Sequence, residues 1–186
     1  MSGRRMKLPE GESTKAHKSQ APATVRVALV TCSSSRFEKM KRGERFEDPS
    51  GDLIVKELSE AGHRIIRRQL VPNERTVLHE AIAGACRDAN VDAVIVSGGT
   101  GVSSRDMTVE VAQELFDKEI KGFGELFRYL SYLEIGAAAI VSRAIAGTHS
   151  GKIIFCLPGS VDANRLAVTR LIIPEIGHLV GHIREQ

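Results

Sequence analysis

"VDAVIVSGGTGVSSRDMT", residues 91–108, runs from an apolar, β-branched stretch straight into a loop of glycine, hydroxyl and charged side chains. Val91, Val94, Ile95 and Val96 have the composition of a buried strand. Gly98, Gly99 and Gly101 follow at once, and Thr108 opens a run to Phe116 that reads as a helix. A strand that feeds a glycine turn and then a helix is half of a βαβ unit, which implies a parallel sheet.

The same grammar extends in both directions. "VRVALVTC" (25–32) reads as a buried strand ending in "SSSR", "HRIIRRQLVP" (63–72) as a more polar strand stopped by Pro72, and "KIIFCLPGS" (152–160) as a third strand ending in a polar turn. Between them, Ile54, Leu58 and Ala61 share a helical face, with Ser50 as the expected N-cap and Gly62 as the stop. Val77, Leu78, Ala81, Ile82, Ala85 and Ala89 form another helical stripe, and residues 123–133 a further helix after a break at Gly122 and Gly124. Ile172, Ile176, Leu179, Val180 and Ile183 predict a C-terminal helix kinked or restarted near Pro174, whereas residues 37–49 are charged and aperiodic. The expectation is a three-layer α/β/α domain with a largely parallel central sheet. Its three polar turns, "SSSR", "SGGTG" and "LPGS", should lie along the carboxyl edge of the strands, where such sheets bind ligands.

The formal charge of +3 would suggest a nucleic-acid partner until it is located. Residues 1–24 hold five basic side chains and two acids, and the remaining 162 residues carry 21 of each sign. The basicity therefore belongs to an N-terminal arm, rich in Ser, Lys, Glu, Pro and Ala, preceding one domain at 25–186. Aromatic residues are only 4% of the chain, so the stacking surface that single strands require is missing as well. Cys32, Cys86 and Cys156 are isolated, which supplies neither a disulfide framework nor a zinc site and makes a reducing cytoplasm the default. No apolar signal segment and no apolar run near 18 residues is present, so neither secretion nor a membrane partner is expected.

Three clustered glycines serve equally as a tight turn or as a cradle whose backbone N–H groups approach an anion. Asp106 favours the second use, because a carboxylate beside a phosphate calls for a bridging cation such as Mg²⁺. The loop does not follow the dinucleotide G-x-G-x-x-G spacing, and "GTHSGKI" at Gly147 is one residue short of a P-loop. Gly159 and Ser160 can face a ligand or form a proline turn with Ser160 as N-cap. Cys32 lacks an activating neighbour in sequence, and His178 and His182 lack a third metal ligand, so neither makes a strong site.

"SGGTGVSSRDMT", "GFGELFRYLSYLEIG" (122–136), "SRAIAG" (142–147) and "LPGS" (157–160), in this order, resemble the MoaB/MogA family of molybdenum cofactor biosynthesis proteins, and "GFGE" and "SRAIAG" resemble its MoaB branch. The resemblance runs from Val25 to the C-terminus. It implies the family's molybdopterin-binding fold and an activity, adenylylation of molybdopterin by Mg·ATP with release of pyrophosphate. It implies that Gly98, Gly99, Thr100 and Gly101 hold phosphate and that Asp106 serves catalysis and the metal. By the same resemblance Ser50, Gly51, Asp52, Thr108, Ser142, Arg143, Pro158, Gly159 and Ser160 surround the pterin and phosphate sites; Ser33, in the "SSSR" turn, offers a hydroxyl to a polar ring or phosphate or belongs to a solvated loop. Trimers or hexamers, and work alongside other molybdenum cofactor proteins, are implied too. One departure stands out: active members carry aspartate after the proline of "LVPNER", where this chain has Asn73 followed by Glu74. Two readings follow, an adenylyltransferase with Asp106, Asn73 and Glu74 at its catalytic centre, or a weak or inactive paralogue that binds molybdopterin or nucleotide. A nicotinamide oxidoreductase ranks below both, since its fingerprint is missing.

Overall fold

The computed structural model describes residues 21–185. Within them the chain forms β1 (Arg26–Cys32), α1 (Ser34–Lys41), α2 (Pro49–Glu60), β2 (Arg64–Val71), α3 (Arg75–Arg87), β3 (Ala93–Ser97), α4 (Thr108–Leu115), β4 (Lys118–Glu119), α5 (Lys121–Ile135), β5 (Ile145–His149), β6 (Lys152–Leu157), α6 (Val161–Ala167) and α7 (Ile173–Arg184). A 3₁₀ turn at Gly136–Val141 follows α5, and a π turn at Val168–Ile172 joins α6 to α7.

The sheet order is β2-β1-β3-β6-β5-β4, with β2, β1, β3 and β6 parallel and β5 antiparallel to both its neighbours. Register places Thr31 beside Ser97 and Ser97 beside Leu157, so the three polar turns leave the sheet side by side, as expected. Alternation along the strands divides the core. Leu29, Ile95, Ile153 and Phe155 meet Ile54, Leu58, Phe127, Ile172 and Ile176 on one face. Val30, Val94, Val96, Ile154 and Cys156 meet Leu78, Ile82 and Ala112 on the other. Helices on both faces complete the three layers.

Several local expectations change. Asp48, not Ser50, caps α2: its side chain accepts from the Gly51 N–H, and Pro49 occupies the first turn, where its missing N–H costs nothing. The aperiodic stretch opens within α1, which buries no residue and so has no hydrophobic period to read; Ser33 caps it. "SRAIAG" contributes β5, joined to β6 by a turn in which Ser150 and Gly151 both have positive φ (50° and 72°), the tight hairpin geometry that suits strand twist. The break before α5 lies at β4, and Gly122 and Gly124 fall inside the helix.

The arm expected at residues 1–24 lies mostly outside the described residues. Residues 21–24 are docked: Ala21 and Pro22 lie against Gly177 and Gly181 of α7, and the Thr24 hydroxyl donates to the Gly62 carbonyl. The continuous helical stretch Val161–Arg184 is 24 residues long and contains an 18-residue segment of mean hydropathy 1.2, which suits a membrane span by length and composition alone. Its Leu166, Val168, Ile172, Ile176 and Val180 are instead committed to the core.

At the amino edge of the sheet, buried Asp92 accepts from the Arg26 N–H and guanidinium and from Arg184, tying β1 to the end of α7. Burial alone would raise this carboxyl, but the bonds from Arg26 and Arg184 outweigh it and hold it down to about 2. Since the folded value lies below the ordinary carboxylate value of about 3.9, the contribution is present above that pH and fades as pH falls toward 2. Both arginines are part-exposed, so solvent screening limits Asp92→Asn to a loss of about 1–2 kcal/mol at pH 7. In urea unfolding, the gap between variant and wild type should narrow below pH 4.

Candidate active site

The glycine loop is shaped by three anchors. Gly98 (φ +102°) and Gly99 (φ +68°) turn the chain away from β3 in a conformation that L side chains rarely adopt. The Gly98 N–H donates to the Leu157 carbonyl at 2.9 Å, stapling the loop to the end of β6. Thr108 closes the loop, its hydroxyl donating to the Gly98 carbonyl at 2.8 Å and its N–H to the Gly99 carbonyl at 2.9 Å. The Thr100 carbonyl accepts from Arg143 Nε at 3.1 Å. Arg143 itself is fixed by a two-pronged ion pair with Glu110, which draws the Glu110 carboxyl below its ordinary range.

The "LPGS" turn is tied back in the same way. Asn164 Nδ2 donates to the carbonyls of Pro158 (2.7 Å) and Ser160 (2.8 Å), and the Ser50 hydroxyl donates to the carbonyl of Gly159 (2.7 Å). Ser160 also caps α6 by accepting from the Ala163 N–H. The two turns touch, since a Cβ placed on Gly159 would lie 3.4 Å from Gly98 Cα.

One electrostatic pattern results. The carbonyls of Gly98, Gly99, Thr100, Pro158, Gly159 and Ser160 are all engaged by the fold. The N–H groups of Gly99, Thr100, Gly101, Gly159 and Ser160, by contrast, have no partner among the described residues. Two adjoining turns that offer donors and withhold acceptors form an anion cradle.

The cradle borders a cleft of about 370 Å³ lined by Gly99, Thr100, Gly101 and Asp106 and by Pro158, Gly159 and Ser160. Its wall is largely apolar, formed by Phe127, Ile135, Ala138, Ala139 and Val141 from α5 and the 3₁₀ turn. Ser131 and Ser142 interrupt that wall, and the Ser142 hydroxyl is buried with no partner among the described residues. A flat, partly apolar ring carrying a phosphate suits such a space.

Asp106 sits half-buried at the cleft rim, its Oδ2 side against Gly101. Its other oxygen accepts from Asn73 Nδ2 at 3.3 Å, and Asn73 Oδ1 accepts from the Met107 N–H at 3.2 Å. Among the described residues no cluster of three or more His, Cys, Asp or Glu side chains could hold a metal. The donor set therefore fits a cation shared with a ligand's phosphates and does not fit one held by the protein alone.

Of the residues expected at the site, Gly99, Thr100, Gly101, Asp106, Ser142, Pro158, Gly159 and Ser160 line the cleft, and Asn73 backs Asp106. Gly98, Thr108, Arg143 and Ser50 shape it through the bonds above; Thr108 is fully buried. Ser33, Gly51, Asp52 and Glu74 are not among the lining residues. Gly51 donates to Asp48, Asp52 is an exposed partner of Arg68, and Glu74 is exposed at the start of α3 with no side-chain cap bond. Burial pushes the Cys32 thiol up to about 11, so it is protonated at neutral pH and no nucleophile. Asn164 is the residue that sequence reasoning missed. Its signal was a polar side chain three and four residues before the core positions Ala167 and Val168.

Comparison with known proteins bears on the family and the fold. Residues 28–178 match the family model described as "Probable molybdopterin binding domain". The chain is 44% identical over 171 residues to molybdenum cofactor biosynthesis protein B of Bacillus cereus, covering 91% of this chain and 97% of that one. It is 39% identical over 173 residues to the molybdopterin adenylyltransferase of Pyrococcus furiosus, again covering 91% and 97%. A crystal structure of molybdenum cofactor biosynthesis protein B superposes with a TM-score of 0.81 at 43% identity, over 90% of this chain and all of that one. With a family model spanning most of its length and relatives this similar end to end, the chain belongs to the MoaB/MogA family of molybdenum cofactor biosynthesis proteins.

Proposed function

We propose that this protein adenylylates molybdopterin, working in the cytoplasm beside the enzymes that supply its substrate and use its product. The observation that carries this reading is the set of unpartnered N–H groups on two adjoining turns whose residues line a cleft together with one carboxylate, Asp106. The relatives named as molybdopterin adenylyltransferases support it.

The reaction joins an oxygen of the molybdopterin phosphate to the α-phosphorus of ATP, and the bond to the β-phosphate breaks to release pyrophosphate. A phosphate monoester is already ionised at neutral pH, so no general base or covalent nucleophile is required. What the protein must supply is alignment and charge neutralisation. The N–H groups of Gly99, Thr100, Gly101, Gly159 and Ser160 serve the phosphates, and the wall of Phe127, Ser131, Ala139 and Ser142 serves the pterin ring. Asp106 would be the protein ligand for a Mg²⁺ ion carried by ATP, and that ion would supply charge neutralisation between the two phosphate groups. Asn73 acts behind Asp106.

We place self-association, as a trimer or hexamer, on the apolar belt of Leu126, Tyr129, Tyr132, Leu133, Ile140 and Val141. Each of these is more than half exposed, which is unusual for a surface that faces water alone. The second reading, a binding paralogue with little turnover, draws on Asn73, which leaves Asp106 without a second carboxylate beside it. Incubation with molybdopterin and Mg·ATP distinguishes the two. The adenylyltransferase releases one pyrophosphate per adenylylated molybdopterin formed, and neither product appears without molybdopterin. The paralogue binds the same ligands and releases no pyrophosphate.

A further inference from the structure

The orientation of the Asn73 amide is fixed by its neighbours. A backbone N–H can only donate, so the Met107 N–H at 3.2 Å requires the Asn73 oxygen on its side. The NH₂ group is then turned toward Asp106 Oδ1, at 3.3 Å. The Asn73 backbone is held as well, its N–H donating to Ser34 Oγ at 2.9 Å. Asn73 therefore sits between the start of α1 and the turn before α4, and presents a neutral donor to the cleft's one lining carboxylate.

This arrangement has a chemical consequence. A bare divalent cation at this rim would meet one carboxylate, one of whose oxygens already accepts a hydrogen bond, and the NH₂ of Asn73, which cannot coordinate it. The Asn73 oxygen is directed at Met107. The Arg143 guanidinium, which donates to the Thr100 carbonyl and pairs with Glu110, offers a cation no ligand. Mg²⁺ and Mn²⁺ favour oxygen ligands and bind through one or two carboxylates when substrate phosphates complete the shell.

Building on the adenylyltransferase reading, we propose that this protein holds no resident cation, and that Asn73 is the positioning residue responsible. Its amide occupies the side of Asp106 where a second oxygen ligand would stand, and holds the carboxylate at the rim without metal. The cation then enters and leaves with the nucleotide. A phosphate-bearing ligand without a nucleotide binds the cradle independently of divalent metal.

The substitution Asn73→Asp is nearly isosteric. It keeps an oxygen for the Met107 N–H and replaces the NH₂ with a second oxygen about 3.3 Å from Asp106 Oδ1, the separation observed for the amide. Two carboxylates that close favour a cation between them. The test is Mn²⁺ binding to the intact protein without nucleotide, read from the electron paramagnetic resonance signal of free Mn²⁺. Wild type and Asp106→Asn should bind equally weakly. Asn73→Asp should bind at least about tenfold more tightly, and the double variant Asn73→Asp/Asp106→Asn should lose that gain. Circular dichroism melting confirms that each variant is folded. If any is not, Asn73→Ser, which removes the NH₂ group from beside Asp106 without adding charge, takes its place: Mn²⁺ binding should rise above wild type, and unchanged binding overturns the proposal.

Wild type binding Mn²⁺ as tightly as Asn73→Asp, with that binding lost in Asp106→Asn, overturns the proposal, as does an Asn73→Asp variant that gains nothing. Because no nucleotide is present, either result stands apart from whether the protein transfers adenylyl groups. A failure of that activity would appear only in the pyrophosphate assay.

Discussion

Gly98→Ala should unfold the cradle at its base. At φ +102° an alanine is strained, at a cost of about 1–3 kcal/mol. Its Cβ would also lie 2.3 Å from the Cys32 carbonyl oxygen, a backbone atom of a central strand that cannot swing aside. Relieving that overlap means separating the ends of β1 and β3, or breaking the Gly98–Leu157 bond, at roughly 1–3 kcal/mol more. The combined loss of about 2–6 kcal/mol should lower the melting temperature by on the order of 10 °C. Catalysis should fall with it, since the Gly99 and Thr100 N–H groups depend on that staple. Gly62→Ala is the matched control: its φ is +86°, but no atom lies within 4 Å of the added Cβ. It carries the strain without the overlap, and should cost about 1 kcal/mol with no change in activity. Equal losses at the two positions would show that strain alone, and not the packed junction of three strand ends, governs Gly98.

Asp106→Asn should separate charge from shape. Asparagine fits the same space against Gly101 and can still accept from Asn73, so the fold should survive with little change in melting temperature. What disappears is the carboxylate that meets the cation as charge shifts between the phosphates. Adenylyl transfer should drop about 10²–10³-fold, the scale seen when one preorganised stabilising group is removed. Binding of a phosphate-bearing ligand without metal should be unchanged or tighter, because a negative charge near the anion has gone. Equal weakening of metal-free binding and turnover would instead make Asp106 a support for the loop.

The fold was legible where burial is periodic and local. "VDAVIVS" is wholly buried and "KIIFCL" is buried beyond Lys152; their apolar composition declares them, and their polar ends place the turns on one edge. Elements without a buried period stayed hidden. α1 buries nothing, and β5 is five residues long with a glycine in its middle. The cleft itself was half legible. Its glycines and Asp106 announce themselves by type, whereas the property that makes it a cradle comes from contacts distant in sequence. Ser50 reaches Gly159 across 109 positions and Arg143 reaches Thr100 across 43, and nothing in either local pattern encodes that pairing. Ser33, Asp52 and Glu74 look as suited to ligands as Ser142 does; three-dimensional placement alone sorts a helix cap, a surface ion pair and an exposed side chain from a cleft wall.

The most direct measurement is a crystal structure of the protein with Mg²⁺ and α,β-methylene ATP, whose bridging carbon prevents turnover, grown with and without molybdopterin. Phosphate oxygens should lie about 3 Å from the backbone nitrogens of Gly99, Thr100 or Gly101, with the cation between those phosphates and Asp106. Phosphates held elsewhere by side chains, with those nitrogens bonded to water or to the protein, would contradict the cradle and the function built on it.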